Sequence, residues 1–320
     1  MDSDDGTRRE LKHPGVAMQD TVTLMEVSPR DGLQNEAELL STDQKLTLIQ
    51  YALDAGFKRI EVTSFVHPKR VPQMADAEAV CAGLPQRGDV AYAGLVLNRR
   101  GYERARATGR LAEVGMVVPA SATFGERNQG QSVDEAVAVG QEILEDARRA
   151  GFKASATIAV AFGCPFEGEV GIDRLVDIAT RLGLAQPAEI ALADTIGVGV
   201  PSQVQSAFTA LRAALGPDMP LRAHFHNTRN TGIANAYAAL EVGVATLDAS
   251  IGGIGGCPFA PNASGNIASE DLVYMLDRMH VGHQVTLQRI LSAATWLEGA
   301  LGKPLPSMLS RAGGFPDPVR

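Results

Sequence analysis

Two histidines, His224 and His226, stand one residue apart at the end of a short apolar run, 221–226. On a strand, alternate side chains share a face, so both imidazoles project the same way and can grip one ion. A catalytic divalent cation needs oxygen ligands as well. Asp31, in Ser28-Pro29-Arg30-Asp31-Gly32-Leu33-Gln34-Asn35, is the carboxylate best placed to supply one, and Asn266 adds a neutral amide oxygen. Such a mixed set leaves positions open for a chelating substrate and suits Mg2+ or Mn2+, although ligand type alone also admits Zn2+, Co2+ or Fe2+. A lone histidine is ordinarily a satisfied core or surface residue; a His-x-His at a strand end favours the metal reading.

Further candidates lie at the ends of other apolar runs. Glu61 sits inside one and Asp194 just after another, and Arg30 precedes Asp31. Cys257 lies in a glycine-rich stretch, 252–266, which has the composition of a flexible lid that could carry a thiol to a substrate and withdraw it. A second Gly-Cys-Pro-Phe at Gly163-Cys164-Pro165-Phe166 means that local sequence does not choose between the two thiols. Cys81, inside an apolar helical pattern, reads as a small core residue.

These residues need a scaffold that brings them together. Short β-branched runs recur at 22–27, 59–63, 90–97, 113–118, 153–160, 189–193, 221–226 and 245–251, about 32 residues apart, which suits a strand, a helix and two loops. Helical spacing fills the intervals, as at Leu46, Ile49 and Leu53 after Ser41-Thr42-Asp43, and again over 136–150 and 203–215. Glycines at 56, 151 and 243 punctuate the passage from helix to strand. Eight such units, with no G-x-G-x-x-G after the first run, predict an α/β fold of the closed (β/α)8 TIM-barrel class rather than an open doubly wound sheet. In that fold the active site belongs at the carboxyl ends of the strands, where Arg30, Asp31, Glu61, Asp194, His224 and His226 all fall. Residues 1–20 read as a polar tail or lid strap. Residues 21–320 form one barrel domain, with extra C-terminal helices from about 281, including Trp296, that pack on the barrel or on a second subunit.

Composition limits the function classes. A chain of 320 residues with 45% hydrophobic and 21% charged residues can bury one large core. Its net charge of −8 gives no basic footprint for nucleic acid. No apolar run is long enough for a membrane span, and the acidic start fits neither a secretory signal nor a transit peptide. Three scattered cysteines build no disulfide framework, so a cytoplasmic location is expected.

The stretch Glu26-Val27-Ser28-Pro29-Arg30-Asp31-Gly32-Leu33-Gln34-Asn35-Glu36 closely resembles the opening motif of hydroxymethylglutaryl-CoA lyases, within the DRE-TIM metallolyase group. Further matches are Ile60 to Phe65 with Val71-Pro72-Gln73-Met74, the Gly163 to Gly168 stretch, Asp194 to Gly199, and the glycine-rich segment with Gly265 to Leu276, so the resemblance spans most of the chain. It implies a barrel that cleaves 3-hydroxy-3-methylglutaryl-CoA to acetyl-CoA and acetoacetate. It also implies a cation on Asp31, His224, His226 and Asn266, Arg30 beside the reacting oxygen, and Cys257 as the lid thiol. By the same carry-over Glu61 and Asp194 lie in the active site as alternative bases, Gln34 lines the pocket, Glu270 supports the lid, and Arg127 and Asn128 reach coenzyme A. A homodimer is implied as well. After the second histidine the sequence departs from the pattern with Asn227-Thr228-Arg229-Asn230-Thr231, where Arg229 adds a cation for a substrate carboxylate or the cofactor's phosphates. Alternatives are a lyase for citramalyl-CoA or an isoprenoid-branched 3-hydroxyglutaryl-CoA, a Claisen condensing enzyme, and a non-catalytic ligand-binding barrel.

Overall fold

The computed structural model of the chain describes residues 20–256 and 264–316; the polar tail expected over 1–20 therefore falls almost wholly outside the described residues, as does Cys257. Among the described residues eight strands are present: β1 Thr23–Glu26, β2 Arg59–Ser64, β3 Ala91–Val96, β4 Glu113–Pro119, β5 Lys153–Ala159, β6 Ile190–Asp194, β7 Leu221–Phe225 and β8 Thr246–Ala249. Each pairs in parallel with the next, and β8 closes on β1 from Thr23↔Thr246 to Glu26↔Ala249. The expected (β/α)8 barrel is what the chain forms. Closure leaves no unpaired edge and gathers all eight carboxyl ends at one mouth.

The helices are α1 Thr42–Ala55, α2 Ala77–Gly83, α3 Arg99–Ala107, α4 Ala122–Gln129, α5 Val133–Arg149, α6 Ile172–Gly183, α7 Pro201–Leu215, α8 Gly232–Glu241, α9 Ser269–Met279, α10 Leu287–Leu301 and α11 Leu309–Ala312. Local chemistry sets their starts. Ser41 and Gln44 form a reciprocal capping box at α1, and Ser132 and Glu135 form another at α5, each satisfying backbone N–H groups that the first turn leaves free. Glycines 56, 151 and 243 take positive φ, as their placement before strands predicts.

The core lies between the strands' outer faces and the helices' apolar faces, with Leu48, Ile49, Ile143, Ile178 and Phe208 fully buried. α10 and α11 are the extra C-terminal helices. α10 packs on the barrel's own α1, where Trp296 meets Tyr51 at 5.4 Å between ring centres, so this apolar face is covered within the chain. Among the described residues no helix is long and apolar enough to cross a membrane.

Candidate active site

β1 ends in a single π turn, Ser28–Gly32, in which the Gly32 N–H reaches back to the Val27 carbonyl at 3.1 Å. Such turns are rare and concentrate at functional sites, because the wider loop re-aims the side chains that follow a strand. Here it presents Arg30 and Asp31. A Cβ on Gly32 would lie 2.8 Å from Ile254 Cγ1 and from Ser250 Oγ, so only glycine lets the turn seat against the loop after β8.

Glu26, at the end of β1, is fully buried and holds this corner together. Its carboxylate accepts from the Ser28 N–H at 2.8 Å, the Ile251 N–H at 3.0 Å and the Ser269 hydroxyl at 2.6 Å. The Asp31 turn, the glycine segment and the start of α9 are thus tied to one side chain. Burial pushes its carboxyl up against the lowering effect of these bonds. Nothing but membership of the opening motif pointed to Glu26, since two of its three partners, Ile251 and Ser269, are over 200 residues away.

β7 delivers His224, and His226 follows one residue beyond the strand. The chain returning from the glycine segment pairs with this end: His226 bridges Asn266, the Asn227 N–H meets the Gly265 carbonyl at 2.7 Å, and the Ile267 N–H meets Phe225 at 3.0 Å. The Nε2 atoms of His224 and His226 lie 3.6 and 3.4 Å from Asp31 Oδ2. One ligand atom from each of these three residues fits within a span of 4.8 Å. Asn266 Nδ2 donates to Asp31 Oδ2 at 2.8 Å and to the Ile254 carbonyl at 3.0 Å, which leaves its Oδ1 buried with no partner among the described residues. Two imidazole nitrogens, a carboxylate and an orphaned amide oxygen suit a divalent cation in type and spacing.

Arg30 stands between two carboxylates, donating to Asp31 Oδ1 at 2.5 Å and to Glu61 Oε2. Burial alone would raise Asp31, but Arg30 and the two histidines outweigh it and hold its carboxyl well below the usual range. At Glu61 the balance reverses: burial outweighs Arg30 and the carboxyl is pushed up. Burial raises Asp194 as well, and both of its oxygens are spent on backbone, accepting from the Val198 and Gly199 N–H groups at 2.9 Å each.

A cavity of about 660 Å³ opens beside the cluster. Arg30, Asp31, Glu61, His224 and His226 line one side; Val66, Val71, Leu95, Leu97 and Phe124 make an apolar wall; Gln34, Arg127 and Asn128 also line it. Arg127 lies over the Phe166 ring at 4.3 Å, so the second Gly-Cys-Pro-Phe stretch helps place a rim cation. Its thiol is occupied otherwise: Cys164 Sγ accepts from the Ser121 hydroxyl, which also caps α4. Cys81 is buried, its thiol pushed up to about 12 by burial. His67 and Arg70 also line the cavity, from the loop after β2, where no spacing signalled them.

Other expected residues stand apart from the cavity. Arg229 donates to the Ile196 and Gly197 carbonyls at 3.1 and 3.0 Å, and Asn227 accepts from the Gly232 N–H at the start of α8. The departure after the second histidine thus joins α8 to the loop after β6. Glu270 is fully buried and accepts from the Gly252 N–H at 3.1 Å, at the root of the glycine segment. The middle of that segment, 257–263, lies outside the described residues, and what is described is its two ends. Residues 251–253 form a buried turn, and Gly255, at φ +116°, lies so close to the site that a Cβ there would be 2.4 Å from Asn266 Nδ2. Gly252, Gly253 and Gly255 answer steric demand.

Fold and site together define a (β/α)8-barrel enzyme whose chemistry sits at the carboxyl ends of its strands. The sequence model of the HMGL-like family matches residues 21–297, and the chain belongs to that family. It is 42% identical to a hydroxymethylglutaryl-CoA lyase of Bacillus subtilis, over 89% of this chain and 95% of the relative. It is 41% identical to an (R)-citramalyl-CoA lyase of Chloroflexus aurantiacus, over 92% of this chain and 95% of the relative. An HMG-CoA lyase of Acinetobacter baumannii, solved with coenzyme A and 3-methylmalate, superposes with a TM-score of 0.88 at 37% identity, covering 95% of this chain and all of that one. The chain is a carbon–carbon lyase.

Proposed function

We propose that the enzyme cleaves 3-hydroxy-3-methylglutaryl-CoA to acetyl-CoA and acetoacetate with a divalent cation, Mg2+ or Mn2+, held by Asp31, His224, His226 and Asn266. The carrying observation is the convergence of Asp31 with the two histidines beside Arg30, Glu61 and an open cavity. When bound, the cation would acidify the substrate's tertiary hydroxyl and neutralise charge on its oxygen.

Glu61 takes the hydroxyl proton. It lines the cavity, and burial raises its carboxyl and so makes its ionised form a stronger base, whereas Asp194 is committed to the backbone of its own turn. As the bond between the hydroxyl carbon and the thioester's α-carbon breaks, the hydroxyl carbon becomes the ketone of acetoacetate and the bonding pair passes to the acetyl-CoA enolate. Arg30, permanently charged and buried, stabilises the oxygen that carries negative charge. Cys257 returns a proton to the enolate carbon. Gln34, Arg127 and Asn128 meet the acyl-CoA, and the other acyl wall is apolar. A cytoplasmic homodimer completes the reading, the association being checked by light scattering.

The deciding assay follows acetoacetate from 3-hydroxy-3-methylglutaryl-CoA with and without chelator; turnover unaffected by metal removal would refute the cation's part. The likeness to an (R)-citramalyl-CoA lyase supports a second reading in which the acyl group is citramalyl. Side-by-side kcat/KM values for the two thioesters separate them, and a preference for citramalyl-CoA would replace the first.

A further inference from the structure

Below the proposed cation site, five charged side chains climb the barrel lumen as a continuous ladder. Arg59 donates to Glu113 at 2.6 Å and to Glu189 at 3.0 Å. Glu189 accepts from Arg222 Nε at 2.8 Å, and Arg222 Nη1 reaches Asp248 Oδ2 at 2.5 Å. The same Asp248 oxygen lies 3.0 Å from His224 Nδ1. The top of this ladder therefore touches an imidazole whose other nitrogen faces Asp31.

The two histidines differ in this respect. Among the described residues His226 Nδ1 is buried without a hydrogen-bond partner, while His224 Nδ1 faces a carboxylate. A neutral imidazole carries one proton on two nitrogens. A carboxylate at Nδ1 draws that proton to itself, frees the Nε2 lone pair and fixes the plane of the ring. Asp248 is not free to turn away, because Arg222 holds the same oxygen and is itself held by Glu189 and, through Nη2 at 3.0 Å, by the Thr157 hydroxyl. Rigid packing of this kind lets a liganding group keep its geometry without reorganising when the ion arrives.

We propose that Asp248, clamped by Arg222, is a positioning residue that sets the tautomer and ring orientation of His224 for cation binding, an inference that rests on the metal reading above. A salt bridge serving only to hold the barrel together would alter stability and leave cation affinity alone. Asp248→Asn keeps the shape and replaces the charged acceptor by an amide. Arg222→Lys keeps the charge, but a single ammonium does not hold Asp248, Glu189 and Thr157 at once.

The test is calorimetric titration of the full-length protein with Mn2+, together with proton NMR of the Co2+-loaded form, in which the N–H protons of liganding imidazoles are strongly shifted. Asp248→Asn is expected to weaken Mn2+ binding by about 10- to 100-fold and to abolish or displace one of the two shifted N–H signals, and Arg222→Lys to weaken binding by a smaller factor. Mn2+ affinity in Asp248→Asn within about threefold of the parent, whatever its melting temperature, overturns the proposal. If Asp248→Asn does not fold, Arg222→Lys decides alone, and parental affinity there overturns it. A parent protein that binds no Mn2+ overturns the metal reading and this inference with it, whereas a binding parent with indifferent variants leaves the metal reading intact.

Discussion

Glu270 should give the protein a pH-dependent stability that a single substitution removes. Its side chain is buried at the root of the glycine segment, with Oε2 accepting from the Gly252 N–H. Burial is the largest influence and pushes its carboxyl from 4.5 to about 7. The folded protein therefore holds this proton more tightly than the unfolded chain does. The associated stability is complete below the unfolded value and is lost as pH rises through the folded one. Linkage between those two values gives a loss of about 2.5 kcal/mol between pH 5 and pH 8 from this group alone. Glu270→Gln keeps an acceptor for Gly252 and carries no titratable proton. Urea unfolding of both proteins at the two pH values should show the variant nearly equal to the parent at pH 5 and more stable by about 2 to 3 kcal/mol at pH 8. Parallel pH dependences for the two proteins would refute the reasoning.

Other outcomes follow from the site and the ladder. Glu61→Gln should lower kcat by about 100-fold or more while Mn2+ affinity changes little; a larger loss in Asp194→Asn, measured in the same assay, would move the base to Asp194. Cys257→Ala should depress turnover far more than cation affinity, and His224→Ala should lose both, as parallel kinetics and Mn2+ titrations would reveal; normal turnover in Cys257→Ala contradicts the thiol's role. Arg59→Met strands Glu113 at the floor of the barrel, leaves Glu189 with Arg222 as its arginine partner, and should cost about 3 to 5 kcal/mol of stability, read by denaturant unfolding, with the Mn2+ affinity of the folded protein kept. An unchanged midpoint would show that the floor ladder is not under tension from its buried charges.

Much of the site could be read from local pattern because the barrel converts position along a strand into position in space. A residue at the carboxyl end of any strand arrives at the mouth, so Asp31 and His224 could be paired across almost 200 residues before their 3.6 Å approach was seen. Gln73 shows the limit of motif matching: it sits in a matching stretch, yet its side chain only braces the chain at Glu38 and Leu40, accepting from one backbone group and donating to the other. Arg229 is similar, a cation in a telling place whose Nη1 donates to the Ile196 and Gly197 carbonyls. Charge and proximity in sequence do not say which way a long side chain turns.

The number of units, their alternation, the capping of α1 and α5 and the His-x-His geometry follow from sequence alone, since each depends on periodicity or on contacts within a few residues. Glu26 gathering three segments, Asn266 reaching His226 by a backbone bridge, and Asp248 standing beside His224 depend on strand register and on the closure of β8 against β1. Those are long-range pairings whose energy comes from packing the whole barrel. No window of neighbouring residues contains them, so only the tertiary structure decided which carboxylate touches the His224 imidazole and which holds the backbone.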